Sequence, residues 1–258
     1  IPILDGGDRF LPREDRDIAE EMLRVLNSKG IKVLQGVKIE AFRDNTADTS
    51  VITSQGEFTA DAVLVGVGRV PNTQGLGLAN ADIETDPRGF ILVDDHLRVQ
   101  GKNHIWAMGD VAGSPMFTYI SLDDYRIVRE QLFGDGKRNR ADRTPFPTAT
   151  FTEPPLAHIG LTETDAQQSG REVKVLKLKA DAIPKAKILN QTDGLLKAVV
   201  DAHSGEILGV TLFCAEAHEI INLFKMAIDF RVPARYVKNQ IFTHPTIAEG
   251  LNDLFAGC

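Results

Sequence analysis

The residues best suited to moving a proton lie near the end of the chain, in the run His244-Pro245-Thr246-Ile247-Ala248-Glu249. Imidazole is the only side chain that titrates near neutral pH without help. A carboxylate partner such as Glu249 fixes its tautomer and raises its pKa. Such a base could deprotonate a dithiol or protonate a leaving thiolate. The plainer alternative is a loop histidine before a proline, ahead of a helix over 246–254. A second chemistry-bearing stretch is Ile105–Tyr125, IWAMGDVAGSPMFTYISLDDY. It reads as a strand, then Gly109-Asp110, then a turn of small residues, then a helix beginning at Thr118 with Thr118 or Ser121 as its cap. Gly109 lets a ligand approach the backbone, and Asp110 offers a carboxylate to hydroxyl groups. The helix N-terminus presents N–H groups and the positive end of a dipole to an anion. Taken alone, the same pattern describes an ordinary strand–turn–helix corner.

Two shorter features add to these. The strand Ile1–Leu4 ends in Asp5. In a dinucleotide-binding βαβ unit the second strand ends in an acid that hydrogen-bonds the adenosine ribose. Asp5 takes that role if a Gly-rich turn precedes Ile1, and is otherwise a turn aspartate before Gly6-Gly7. Arg9 nearby suits a ribose 2′-phosphate, so NAD and NADP both stay open. The run Gly66–Asn72 holds Gly68-Arg69, with Pro71 forcing Val70 away from helix.

The elements that must position these groups read as follows. A helix runs from about Asp15 to Lys29, with Ile18, Met22, Val25 and Leu26 on one face and Gly30 closing it. Asp15 or Arg13 stands near its cap. A strand over 31–34 and a meander over 37–43, 50–54 and 57–59 follow, and the apolar run Ala62–Val67 reads as a buried strand. A hairpin-like segment over 81–93 turns at Gly89, and the Gly-rich run 133–140 reads as a linker. Beyond it, strands over 157–160, 173–178, 194–200 and 209–213 and a helix over 217–230 make an antiparallel sheet with helices. Thr162 and Asp165 have the spacing of a capping box. Cys214 reads as a small buried hydrophobe. His96 and His104 read as surface groups with no ligand-spaced partner, so no metal site is expected.

Composition narrows the class. A net charge of −7 argues against nucleic acid or anionic membrane as partner. No apolar run is long enough to span a bilayer, and no secretory leader opens the chain. Two distant cysteines make no disulfide framework, which favours a reducing cytoplasm.

Four blocks stand in order: Val65–Asn72, the Gly109-Asp110 run, Phe151–Glu163 and Phe242–Glu249. Together they resemble the flavoprotein disulfide reductases, the family of dihydrolipoamide dehydrogenase, glutathione reductase and mercuric reductase. The resemblance covers nearly the whole chain. The stretch Phe117–Val128, FTYISLDDYRIV, looks most like the reactive-chlorine-resistance branch, which reduces copper.

The resemblance implies an α/β and α+β fold. Residues 1–70 would be a partial NAD(P)-binding domain, 71–140 a central FAD-contacting domain, and 145–258 an antiparallel-sheet dimerisation domain. It implies FAD and NAD(P)H as cofactors. Asp110 would bond the ribityl chain, and the helix near Phe117 and Thr118 would point at the pyrimidine edge of the flavin. Asp5, Gly68, Arg69 and Gly109 complete the implied cofactor-binding set. His244 would be the acid/base, oriented by Glu249, and would reach the flavin site of the opposite subunit, hence a homodimer.

Gln100 departs from the threonine the family often places ten residues before the aspartate. Tyr119, Asp123, Asp124 and Tyr125 are either solvated groups at a helix start or a patch beside the flavin for a metal-ion substrate. Mercuric reductases carry a C-terminal cysteine pair, whereas here only Cys258 stands at the end. Neither a C-x-x-x-x-C pair nor a pyrophosphate loop occurs in the chain. The expectation is therefore the C-terminal part of an enzyme that passes electrons from NAD(P)H through flavin and a dithiol to a disulfide or metal ion, inactive by itself. The alternative is an isolated, non-enzymatic dimerisation fragment.

Overall fold

The computed structural model describes residues 1–258 and divides into two compact units, Ile1–Val63 with Pro145–Cys258, and Leu64–Thr144. In the first unit β1 (Pro2–Leu4) pairs in parallel with β2 (Lys32–Leu34), and α1 (Arg16–Ser28) makes the crossover. Ile18, Ala19, Met22 and Val25 recur at helical spacing and are all buried, so α1 forms because one face has a core to cover. Leu156 and Phe213 share that core. The expected meander follows as β3 (Ile39–Asp44), β4 (Thr49–Thr53) and β5 (Gly56–Ala60), antiparallel in the order 3-4-5.

The buried strand expected over Ala62–Val67 does not form. Leu64 is 97% and Val67 84% exposed, and no strand pairs with this segment. An apolar run becomes a strand only where another strand's N–H and C=O groups complete a ladder. Within this chain the parallel sheet stops at two strands.

The second unit is built from single bridges rather than long strands. Thr85 faces Ile91 across a hairpin whose turn holds Gly89, as expected, and Arg98 faces Trp106. That one bridge is all that forms of the strand expected before Gly109. Ile91, Leu97, Val99, Ala107, Ala112 and Ile127 make the core. Residues Gly109–Ala112 form a 3-10 turn, and α2 (Thr118–Phe133) follows. Its N-cap is Phe117 with no side-chain cap, so neither Thr118 nor Ser121 caps it.

The rest of the first unit is a five-stranded antiparallel sheet. Its strands are β6 (Thr148–Thr150), β7 (Leu156–Gly160), β8 (Val173–Lys179), β9 (Leu195–Asp201) and β10 (Ile207–Phe213), in the order 6-7-10-9-8. Central strands β9 and β10 are buried almost throughout, which explains their continuous apolar runs. β7 and β10 pass so closely at Gly160 (φ +80°) that a Cβ there would lie 2.2 Å from the Leu208 carbonyl oxygen. Helices α3 (Glu163–Gln168), α4 (Pro184–Ile188), α5 (Ala217–Asp229), α6 (Ala234–Asn239) and α7 (Gly250–Leu254) pack around the sheet. The Thr162/Asp165 capping box forms at α3. Cys214 is 1% exposed inside the main core. The helix expected over 246–254 is shortened to α7, because Thr246–Glu249 is used as a turn.

Asp15 does not cap its own helix. It crosses to α3, where its carboxylate accepts from the Glu163 and Thr164 N–H groups at 3.0 and 3.2 Å and from the Thr164 hydroxyl at 3.0 Å. Beneath it lies Lys197 of β9, whose side chain is 2% exposed. Its Nζ meets Asp15 at 2.9 Å, Asp17 at 3.0 Å and Glu163 at 2.6 Å. These contacts hold the Asp15 and Asp17 carboxyls below their usual range against the opposing effect of burial, and raise the Lys197 ammonium.

Candidate functional site

The His244 turn is built by its own side chains. The His244–Pro245 peptide is cis. Thr246 Oγ1 donates to the Thr243 carbonyl at 2.8 Å and accepts the Glu249 N–H at 3.2 Å. One Glu249 oxygen accepts the Thr246 N–H at 3.1 Å, and the other meets His244 Nδ1 at 2.8 Å. The adjacent Ile247, Leu251 and Leu254 are buried in the main core and anchor the turn. Hydrogen bonding to His244 is the first cause that holds the Glu249 carboxyl below its usual range. An ionised Glu249 accepts Nδ1–H, which leaves Nε2 as the lone-pair nitrogen. The His244 side chain is 69% exposed, so Nε2 faces solvent and can take or give a proton.

Around Gly109 the geometry comes from α2. The Gly109 N–H donates to the Asp124 carboxylate at 2.7 Å. Gly109 has φ +74°, and a Cβ there would sit 3.0 Å from Ser121 Oγ. The glycine is therefore required by this chain's own packing as well as by any ligand's approach. Asp124 is fully buried and pairs with Arg143, while Asp123 bonds Arg143 Nε at 2.7 Å and also pairs with Arg138. The two acids are thus neither solvated helix-start groups nor a free patch for a metal ion. They tie α2 to the 138–143 loop and to the Gly109 turn.

Sequence reasoning missed this role although a signal was present. Ile120, Asp124 and Ile127 are spaced by four and three and form the buried face of α2. An aspartate on an apolar stripe implies a buried partner.

The Asp110 carboxylate is exposed and has no partner within the chain. Met108, next but one, is 47% exposed. Arg69 donates from Nη1 to the Met116 carbonyl at 2.9 Å, which sets Gly68 and Arg69 beside the entry to α2 near Phe117 and Thr118. Gly68 has φ +140° with open space where a Cβ would stand. Asp5 lies in the other unit. One of its oxygens accepts the Gly7 N–H at 2.9 Å in a tight turn. No group of three or more His, Cys, Asp or Glu side chains is placed to hold a metal ion.

For a flavin dinucleotide the donor set beside Gly109 fits. It offers one unpaired carboxylate for hydroxyls and, in α2, a 16-residue helix whose N-terminus no side chain caps.

Residues 1–124 match the family described as pyridine nucleotide-disulphide oxidoreductase, and residues 146–255 match the dimerisation domain of that family. This chain belongs to the pyridine nucleotide-disulphide oxidoreductases. It is 43% identical to the probable pyridine nucleotide-disulfide oxidoreductase RclA of Escherichia coli, over 99% of this chain and 58% of that one. The mercuric reductase of Staphylococcus aureus is 31% identical over 97% of this chain and 46% of its own length. Among solved structures, the Cu(II) complex of the HOCl-induced flavoprotein disulfide reductase RclA of E. coli superposes with a TM-score of 0.96, covering 99% of this chain and 58% of that chain. This chain thus spans about half the length of the curated relatives it matches. No helix in it is long and apolar enough to cross a membrane.

Proposed function

We propose that this chain is the part of an NAD(P)H-dependent FAD oxidoreductase that supplies the flavin-tail carboxylate, the helix facing the flavin, the proton-transfer pair and the dimer surface. The observation that carries the reading is the His244–Glu249 pair, 2.8 Å apart with Nε2 turned outward. When bound, the flavin would carry two electrons from NAD(P)H towards a disulfide. Asp110 would accept a hydroxyl hydrogen bond from the ribityl chain, and the N-terminus of α2 would offer its positive dipole end to negative charge on the flavin. Gly68, Arg69, Phe117 and Thr118 border that approach, and Asp5 with Arg9 sets NAD against NADP.

His244 Nε2 holds the proton that a leaving thiolate needs, and takes one from an attacking dithiol. Glu249 keeps Nδ1 protonated and balances the imidazolium. Residues 145–258 form the dimer contact, and two-fold symmetry lends His244 to the partner copy's site.

His244→Gln in the flavin-loaded enzyme tests this. It should lower turnover with a disulfide or dithiol substrate by about 10²- to 10⁴-fold and leave flavin reduction by NAD(P)H unchanged. Unchanged dithiol turnover overturns the acid/base role. A metal-ion acceptor is the second reading, favoured by the 43% identity to a protein captured with Cu(II). In that case metal reduction survives the substitution.

A further inference from the structure

We propose that the cleft between the second half of α2 and the loop after it binds a small phosphate-bearing anion. The cleft has a volume of about 310 Å³ and is lined by Arg126, Arg129, Glu130 and Arg138. Arg126 and Arg129 are one turn apart on α2, so their side chains share a face. Neither makes an ion pair within the chain. Glu130 also lines the cleft but makes no ion pair with either of them, and its Oε2 lies beside Gly134, where a Cβ would approach it to 2.0 Å.

Arg138 enters from the loop and is held there. Its carbonyl meets His96 Nδ1 at 3.2 Å, the preceding turn is pinned through Gln131 Nε2 to the Gly136 carbonyl, and its guanidinium pairs with Asp123. That pair uses one of its nitrogens and leaves other N–H donors for a ligand. Asp123 is itself shared with Arg143. Three arginines therefore line one cleft in a chain of net charge −7, with Glu130 the one acid in the lining and Asp123 shared between Arg138 and Arg143.

Like charges brought together cost energy that an anion relieves, and planar guanidinium forks suit phosphate oxygens. The volume is at the small end of ligand pockets, about 300–1,000 Å³. With no apolar side chain in the lining, charge and hydrogen bonding must carry recognition. A pyrophosphate-sized group fits these terms. Arg126 and Arg129 have no part in the His244 or Asp110 chemistry, so this site stands or falls independently of the proposed function.

Titration calorimetry with inorganic pyrophosphate, at 0.15 M salt as an order-of-magnitude physiological ionic strength, tests it on the full chain. One saturable site per chain is expected. Arg126→Gln and Arg129→Gln should each weaken binding about tenfold, with far-UV circular dichroism unchanged because both residues are exposed. Arg126→Lys, which keeps charge but loses the fork, should fall between Arg126→Gln and the parent. No saturable heat at millimolar pyrophosphate, equal affinity in the double Gln variant, or equal binding of citrate would each overturn the proposal.

Discussion

Lys197→Met keeps the bulk of a long side chain in β9 and removes its charge. In the parent, Nζ lies 2.9 Å from Asp15, 3.0 Å from Asp17 and 2.6 Å from Glu163. Asp15 is 5% exposed, so its carboxylate would lose its counterion where water cannot replace it. Asp17 and Glu163 are each 28% exposed, and Asp17 keeps Lys177 at 2.6 Å, which softens the loss. Removing one partner of a buried ion pair costs about 3–5 kcal/mol, and the partial solvation here points to about 3 kcal/mol within that range. In urea that corresponds to a midpoint lower by about 1–2 M.

The pH dependence has a definite sign. Asp15 and Asp17 have folded pKa values below their unfolded ones, so their contribution is complete above the unfolded carboxylate range and fades as pH falls through the folded values. Lys197 is raised, so its contribution persists up to the unfolded lysine range and is lost only above it. In the variant the buried acids lack their cation and take up protons at higher pH than in the parent. The stability gap should therefore narrow between pH 7 and about pH 4, the unfolded carboxylate range. Far-UV circular dichroism follows the five-stranded sheet, and Trp106, the only tryptophan, reports on the other unit. A gap below about 1 kcal/mol at pH 7, the range of an exposed pair, refutes the reasoning, as does a gap that does not change with pH.

Further outcomes follow from the sites. Glu249→Gln should let the His244 imidazole swing between tautomers. Because Glu249 is held below the usual carboxylate range, parent turnover should keep the ordered pair down to acidic pH, and the variant's pH–rate profile should lose that acid limb; superimposable profiles would count against the pair. Gly109→Ala forces a Cβ to 3.0 Å from Ser121 Oγ at φ +74°, and should cost about 1–2 kcal/mol by thermal unfolding, with part returned by a second change, Ser121→Ala. A full-length thermal midpoint equal to the parent's would remove the packing argument. Burial pushes the Cys214 thiol up to about 12, whereas Cys258 is half-buried, so a thiol reagent at pH 8 should label one group per folded chain and two in denaturant. Rapid labelling of both in the folded state would contradict that burial.

How much was legible beforehand depended on how local the determining interactions are. The face of α1 and the Thr162/Asp165 capping box are set by neighbours a few residues apart, and each can be read directly. The His244–Glu249 pair belongs to the same class, because five residues folded back through a proline turn bring the groups together. The segment Ala62–Val67 failed for the opposite reason. Its apolarity describes what a strand there would need, and only a neighbouring strand could supply it.

The amino-acid order by itself determined the local elements, the residue types able to transfer protons or accept hydroxyl hydrogen bonds, and through its four blocks the family. Tertiary structure alone decided that Asp15 serves a helix starting at Glu163. It also decided that Asp124 holds the Gly109 turn rather than facing water, and that Lys197 is buried among three acids. Charge strongly favours solvent unless a partner is present. Where those partners come from segments far apart in the chain, only folding can reveal whether a charged residue is a surface group or a buried tie.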